Sequence, residues 1–143
     1  MLAAPLFCGY HRLMPRGGKI IIRQDTNVWP HELTIAKALA RVGYRVEFKL
    51  SDNTHRSADA YLNGTLFEFK SPISTNIRGI ERNIKRGRKQ SPNLVICSQR
   101  MKHIQDKSII NYLSTNRERL NGITRLLFVN KHGQVFDIMN KKK

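Results

Sequence analysis

Hydrophobic positions along the 143-residue chain change period several times, and each change marks an element. Residues 1–18 read as an irregular lead closed by Gly17-Gly18. KIIIR (19–23) is a short β-branched run that suits a strand. From Pro30 the pattern turns helical: HELTIAKALARVG keeps helical period and stops at Gly43. YRVEFKL then alternates, with Tyr44, Val46 and Phe48 on one face, and SDNTHRS, which contains His55, is a polar loop.

The clearest local signal is DAYLNGTLFEFKS, in which Asn63-Gly64 separates two alternating runs. A type I′ turn needs positive φ at both central residues, which Asn and Gly tolerate, so a two-residue hairpin is expected here. After the cap-rich SPIST, the stretch NIRGIERNIKRGRKQ (76–90) reads as a helix with Ile77, Ile80 and Ile84 inward. NLVICS is a continuous apolar strand of the kind covered on both faces. Residues 103–120 suit a further helix with Ile104, Ile109, Tyr112, Leu113 and Leu120 inside. TRLLFVN and QVFDIMN, joined through Lys131-His132-Gly133, read as a closing hairpin. From residue 31 the order is α-β-β-β-α-β followed by α-β-β. This is an α/β (α+β) fold, a mixed central sheet flanked by helices with a C-terminal αββ extension.

Composition sharpens the picture. About 40% of residues are apolar, enough to build a core, and the length suits one ordinary domain (31–140) after a lead over 1–30, with a basic tail at 141–143. Lys and Arg number 26 against 10 Asp and Glu, a formal charge of +16 that points to a polyanionic partner, nucleic acid above all. Cys8 and Cys97 fit neither a disulfide framework nor a zinc spacing, so a reducing, cytoplasmic site of action is expected. No apolar run approaches the ~20 residues that span a bilayer, and membrane insertion is not expected.

The hairpin carries the candidate chemistry. A two-residue turn at Asn63-Gly64 sets Leu62 opposite Thr65, Tyr61 opposite Leu66, Ala60 opposite Phe67 and Asp59 opposite Glu68. Alternation adds Lys70 to the face of Glu68, while Ala60, Leu62, Phe67 and Phe69 form an apolar face. Like charges opposed on a sheet repel, so the pair calls for a cation: Lys70, or a divalent ion such as Mg²⁺, Mn²⁺ or Zn²⁺. The alternative is an exposed hairpin edge with an ordinary surface charge cluster. Glu32 lies on the apolar stripe of its helix with Ile35, Leu39 and Val42. It is either a third acid for the site or a favourable charge at the helix N-terminus.

From Lys70 to Lys102 nine basic residues face a single acid, Glu81. Arg78, Arg82, Lys85 and Lys89 recur at helical spacing and Arg86 and Arg88 widen the stripe, which suits contact with phosphates. Gln90 either faces the site or only ends the helix. His31 and His55 could approach the site, and His103 and His132 suit surface turns. No P-loop, G-x-S-x-G or dinucleotide fingerprint is present.

Glu32, Asp59 and the run Glu68-Phe69-Lys70 together resemble the E…D…(D/E)-x-K signature of the PD-(D/E)XK nucleases. The order of elements resembles the αβββαβ core of restriction-endonuclease-like folds. More closely, residues 31–98 are similar to the C-terminal tRNase domains of contact-dependent inhibition (CdiA) toxins. The resemblance runs through HELTIAKALARVGYRVEF, SADAYLNGTLFEFKSP, NIRGIERNIKRGRKQ and SPNLVICS, about half the chain. It implies that Asp59 and Glu68 bind a divalent metal, that Glu32 assists, and that Lys70 orients the attacking water. It implies also that Arg78, Arg82, Lys85, Arg86 and Lys89 hold nucleic acid. Two departures stand out: Ala58 occupies the signature's proline position, and the spacing from Asp59 to Glu68 is short, as the tight turn requires.

The expected function is therefore a metal-dependent nuclease, tRNA ahead of DNA. As a toxin it would be delivered into a target cell and neutralised by an acidic immunity protein. Two other readings fit the same residues. One is a metal-independent RNase of the barnase and colicin type, using Lys70, Ser71, Thr75 and a histidine. The other is a basic nucleic-acid-binding module without catalysis.

Overall fold

The computed structural model describes residues 10–13, 18–50 and 59–139; the polar loop with His55, most of the lead and the tail 141–143 lie outside the described residues. The chain divides between Phe67 and Glu68 into two compact units. The division falls inside one strand, β5 (Thr65–Lys70).

In the first unit, β1 (Tyr10–Leu13) runs antiparallel to β2 (Lys19–Ile22), and β2 runs parallel to β3 (Arg45–Phe48). A parallel pair needs a crossover, supplied here by helix α1 (Pro30–Arg41), which packs on β2 and β3 through Ile35, Ala36 and Leu39. Gly18 lets the chain enter β2 against the end of this helix: a Cβ there would lie 1.8 Å from the Ala40 carbonyl oxygen. The lead is not wholly irregular, as the sequence pattern suggested. β1 is a strand within it, joined by backbone pairing to β2 and lacking the apolar alternation that makes a strand readable. Antiparallel β4 (Ala60–Leu62) follows β3 and turns through Asn63 (φ 49°) and Gly64 (φ 90°) into β5. The ladder pairs Leu62 with Thr65, Tyr61 with Leu66 and Ala60 with Phe67, the register that the turn predicts.

In the second unit the end of β5 runs parallel to β6 (Asn93–Cys97), β6 parallel to β7 (Arg125–Val129), and β7 antiparallel to β8 (Val135–Asp137). Helix α2 (Ile77–Gly87) connects β5 to β6 and α3 (Asp106–Thr115) lies between β6 and β7. Ile80, Ile84, Leu94, Ile96, Ile109, Leu113 and Phe128 are all buried in one cluster, so the apolar run LVIC is a covered strand as expected, and LLFV, expected only as a strand of the closing hairpin, is covered as well. The helix expected over 103–120 is in two pieces. Asn116 (φ −114°, ψ 54°) ends α3, and a 3₁₀ turn (Arg117–Leu120) carries Leu120 back into the core. From α1 onward the order is αβββαβαββ, an α+β arrangement on mixed strands, as the sequence indicates.

Candidate active site

Within the second unit, β5 delivers two charged side chains to one face. Glu68 and Lys70 are two residues apart, so alternation points them the same way, and the Lys70 ammonium lies 3.1 Å from Glu68 Oε2. Glu68 is only 4% exposed, whereas Lys70 reaches partway to solvent. A buried carboxylate is costly unless it is paired and hydrogen-bonded, and a second group completes this one. With its amide nitrogen turned inward, Gln90 donates to both Glu68 oxygens at 3.0 and 3.1 Å. The sequence left Gln90 between facing the site and ending the helix; it does both, since its N–H also closes the helix on the Gly87 carbonyl at 2.8 Å.

Burial of Glu68 removes the reading of this strand as an exposed hairpin edge. The same crowding explains Gly87. A Cβ there would come within 2.9 Å of Leu94 and 3.5 Å of the Lys70 side chain, so glycine brings the end of α2 down onto the lysine stem.

In the first unit, Asp59 is half-buried at the entry to β4. Its N–H donates to the Phe67 carbonyl at 3.0 Å and its own carbonyl accepts from Lys49 N–H at 2.9 Å, which fixes its backbone in the hairpin. Glu32 stands in the first turn of α1, and its Oε1 accepts the Trp29 N–H at 3.0 Å. It thus reaches back to satisfy a backbone donor that the helix start leaves open. That bond gives the residue a concrete part in folding, one the sequence offered only as a dipole effect.

The basic stripe on α2 is not one surface. Arg82 and Arg86 line a groove of about 740 Å³ together with the loop 71–75, Asn83 and Arg100. Lys85 and the other side of Arg82 line a cavity of about 400 Å³ with Glu81, Tyr112 and Arg119. There Glu81 accepts from Tyr112 and pairs with Arg119 at 2.7 Å, so its charge is already spent on tying α2 to the segment after α3. Arg78 faces Ile104 and Ser108 instead, and Lys89 projects from the turn that ends α2. Arg100, just beyond the carboxyl end of β6, escaped the sequence reading because only the parallel pairing of β5 and β6 brings it beside the loop after β5.

A partly buried polar knot joins the start of α3 to the turn after β7. Asp106 accepts from Ser98 Oγ at 2.5 Å, from Lys131 N–H at 3.0 Å and from the Lys131 ammonium at 3.3 Å. Burial pushes this carboxyl's pKa up, but the Ser98 hydrogen bond and the Lys131 contacts outweigh it and hold the group below its ordinary value. Burial pushes the Cys97 thiol upward, which leaves it unreactive at neutral pH.

Among the described residues no three His, Cys, Asp or Glu side chains gather as a metal cage. The donor chemistry nonetheless suits a hard ion: Mg²⁺ binds through one or two carboxylates, keeps several waters and takes the rest of its shell from substrate phosphates. Asp59, in the first unit, and Glu68, in the second, each carry a carboxylate of that class.

No family model matches the sequence, and no curated protein matches it significantly. Among solved structures, this fold is similar to a chain of the CdiA-CT/CdiI toxin and immunity complex from Burkholderia pseudomallei. The TM-score is 0.59 at 19% sequence identity, with 80% of this chain and 95% of that chain covered. At this identity the likeness is one of fold. No helix among the described residues is long and apolar enough to cross a membrane.

Proposed function

We propose that this chain is a nuclease that hydrolyses phosphodiester bonds, with Glu68 and Lys70 at its reacting centre and tRNA as the favoured substrate over DNA. The observation that carries the reading is the buried Glu68 carboxylate, clamped by the Lys70 ammonium and the Gln90 amide at the end of β5. A fold that needed only a core would fill this position with an apolar side chain, because a buried ion pair is weak support for stability.

In the hydrolysis, a water oxygen bonds to phosphorus and gives up a proton. One P–O ester bond breaks with its electron pair going to the departing oxygen, which takes up a proton from solvent, and negative charge grows on the non-bridging oxygens between. The partly buried Lys70 ammonium offsets that charge and orients the water, and Glu68 holds Lys70 in place through the 3.1 Å contact. In the reading carried by the hairpin pattern, Asp59 and Glu68 hold a divalent ion, which when bound supplies a hydroxide-like nucleophile at neutral pH. Arg82 and Arg86 take phosphates along the strand, with Arg78, Lys85 and Lys89 as outlying contacts.

Among the described residues the groove with Ser71 and Thr75 is lined by no histidine, and a histidine-based RNase is the competing reading that the assay below separates. By fold likeness to a chain of a toxin and immunity complex, the reading extends to a toxin delivered into a target cell and to an acidic immunity protein as its partner. The test is a gel assay of purified protein on total tRNA and plasmid DNA with Mg²⁺, Mn²⁺, Zn²⁺ or EDTA, beside Lys70→Ala. Discrete tRNA fragments that vanish with EDTA and with the variant are expected. Cleavage surviving EDTA would transfer the reaction to a metal-free mechanism, and intact nucleic acid with shifted bands in every lane would leave a binding module.

A further inference from the structure

We infer that the groove between the loop 71–75 and the Arg82–Arg86 side of α2 binds a nucleic-acid strand with an unpaired base, Arg100 holding a phosphate and Ile73 contacting the base. The proposal rests on the nuclease reading for its context but stands on its own observations.

The first is position. β5 and β6 run parallel, and ligands of such sheets bind beyond the carboxyl ends of the strands. Ser71 follows Lys70 directly at the end of β5, and Arg100 follows β6, so the groove opens where the reacting lysine ends.

The second is charge. Among the described residues, Arg82, Arg86 and Arg100 line the groove and no carboxylate does. Arginine is the side chain best matched to phosphate oxygens, through its planar fork of donors. The hydroxyls of Ser71 and Thr75, on the same walls, add short polar donors of the kind that fix a backbone in register.

The third is an exposed apolar side chain. Ile73 is 66% exposed at the groove, flanked by the buried Pro72 and by the loop serines. An apolar side chain of this size, presented to solvent among cations, gains contact area from the face of a base only if that base is out of its stack. A continuous duplex offers phosphates alone along its backbone, whereas single strands and loops offer both.

The loop is held ready for this. Ser74 Oγ accepts the Asn76 N–H at 3.2 Å, Asn76 caps α2 by accepting the Arg78 N–H at 3.0 Å, and Gly79 lets Ser74 sit against the helix. An ordered loop loses less entropy when a ligand arrives.

The experiment measures binding, by fluorescence anisotropy, of a single-stranded RNA, an RNA hairpin and a blunt duplex of equal length. Lys70→Ala is the background, so that cleavage does not interfere. Single strand and hairpin loop are expected to bind tighter than duplex. Ile73→Ser should weaken those two by about tenfold and leave the duplex unchanged. Arg100→Gln should weaken all three and lower the slope of log K against log salt by about one phosphate contact, and Arg86→Gln should do the same as an independent check at an exposed position. Equal affinity for duplex and single strand, or an unchanged salt slope in both arginine variants, would overturn the proposal. The wild-type cleavage assay separates the two claims. Cleavage that persists while these variants bind normally removes the groove and keeps the nuclease; no cleavage with the binding effects intact keeps the groove as a strand-binding site.

Discussion

In the proposed reaction most of the chemistry turns on Glu68, and its surroundings make separable demands. Lys70 neutralises it, and Gln90 fixes its orientation through two hydrogen bonds. Removing the amide while keeping the ion pair should therefore slow the reaction without touching substrate binding. Gln90→Ala is expected to lower tRNA cleavage by about 10–100-fold, the range typical for groups that orient a reacting residue, while anisotropy shows unchanged affinity. Asp106 offers a residue-scale test of stability. Its pKa is held below its ordinary value of 3.8, so it stabilises fully above that pH, and the contribution is lost as pH falls through the lower folded value. Thermal unfolding followed from neutral pH to below pH 4 should show a drop in midpoint that is shallower in Asp106→Asn, whose starting midpoint is already lower.

Elements show a different kind of constraint, because close approach decides them. In α2, a Cβ on Gly79 would lie 2.1 Å from Ser74 Cβ and 2.5 Å from its hydroxyl. Alanine is the better helix former by about 1 kcal/mol, but the clash should win and leave Gly79→Ala destabilised by about 1–3 kcal/mol in urea unfolding. Ser74→Gly added to it should recover part of the loss, a coupling that a double-mutant cycle reads directly. The link from α2 to α3 has its own signature. Burial, and the hydrogen bond to Glu81, raise the Tyr112 pKa from 10.0 to about 12. The neutral phenol is thus favoured in the fold: its contribution is complete below pH 10 and is lost as pH rises towards 12. Tyr112→Phe should flatten the alkaline limb of the stability profile over that interval.

For the molecule as a whole, the charge is unevenly shared. The second unit, from Glu68 on, holds 17 of the 26 basic residues and 5 of the 10 acids, so it carries +12 of the net +16. Nucleic-acid binding should accordingly weaken steeply between about 50 and 200 mM salt. Arg82→Gln with Arg86→Gln should reduce that slope, whereas Arg23→Gln with Arg45→Gln should leave it almost unchanged. Both of the latter arginines already face Glu47, at 2.5 and 3.1 Å, and the Arg23 hydrogen bond lowers the pKa of that carboxyl most. Titration of a labelled RNA at several salt concentrations checks both.

Legibility followed the range of each interaction. The hairpin register, the inward faces of α1 and α2, and the covered strand β6 are set by turn chemistry and apolar period. These act over a few residues and can be read along the chain. So could the same-face placement of Glu68 and Lys70, which needs only the alternation of one strand. The strand β1 was not legible, because its backbone pairing leaves no apolar period behind. Nor was the break at Asn116, where helical period runs on but the chain must turn Leu120 into the core. Gln90 on Glu68, Arg100 beside Ser71, and Asp106 under Lys131 join residues 22, 29 and 25 positions apart. The sequence by itself determined the elements and named candidate side chains on them. Tertiary structure alone decided which of them meet, because parallel pairing brings strand ends together across long connections that no local period records.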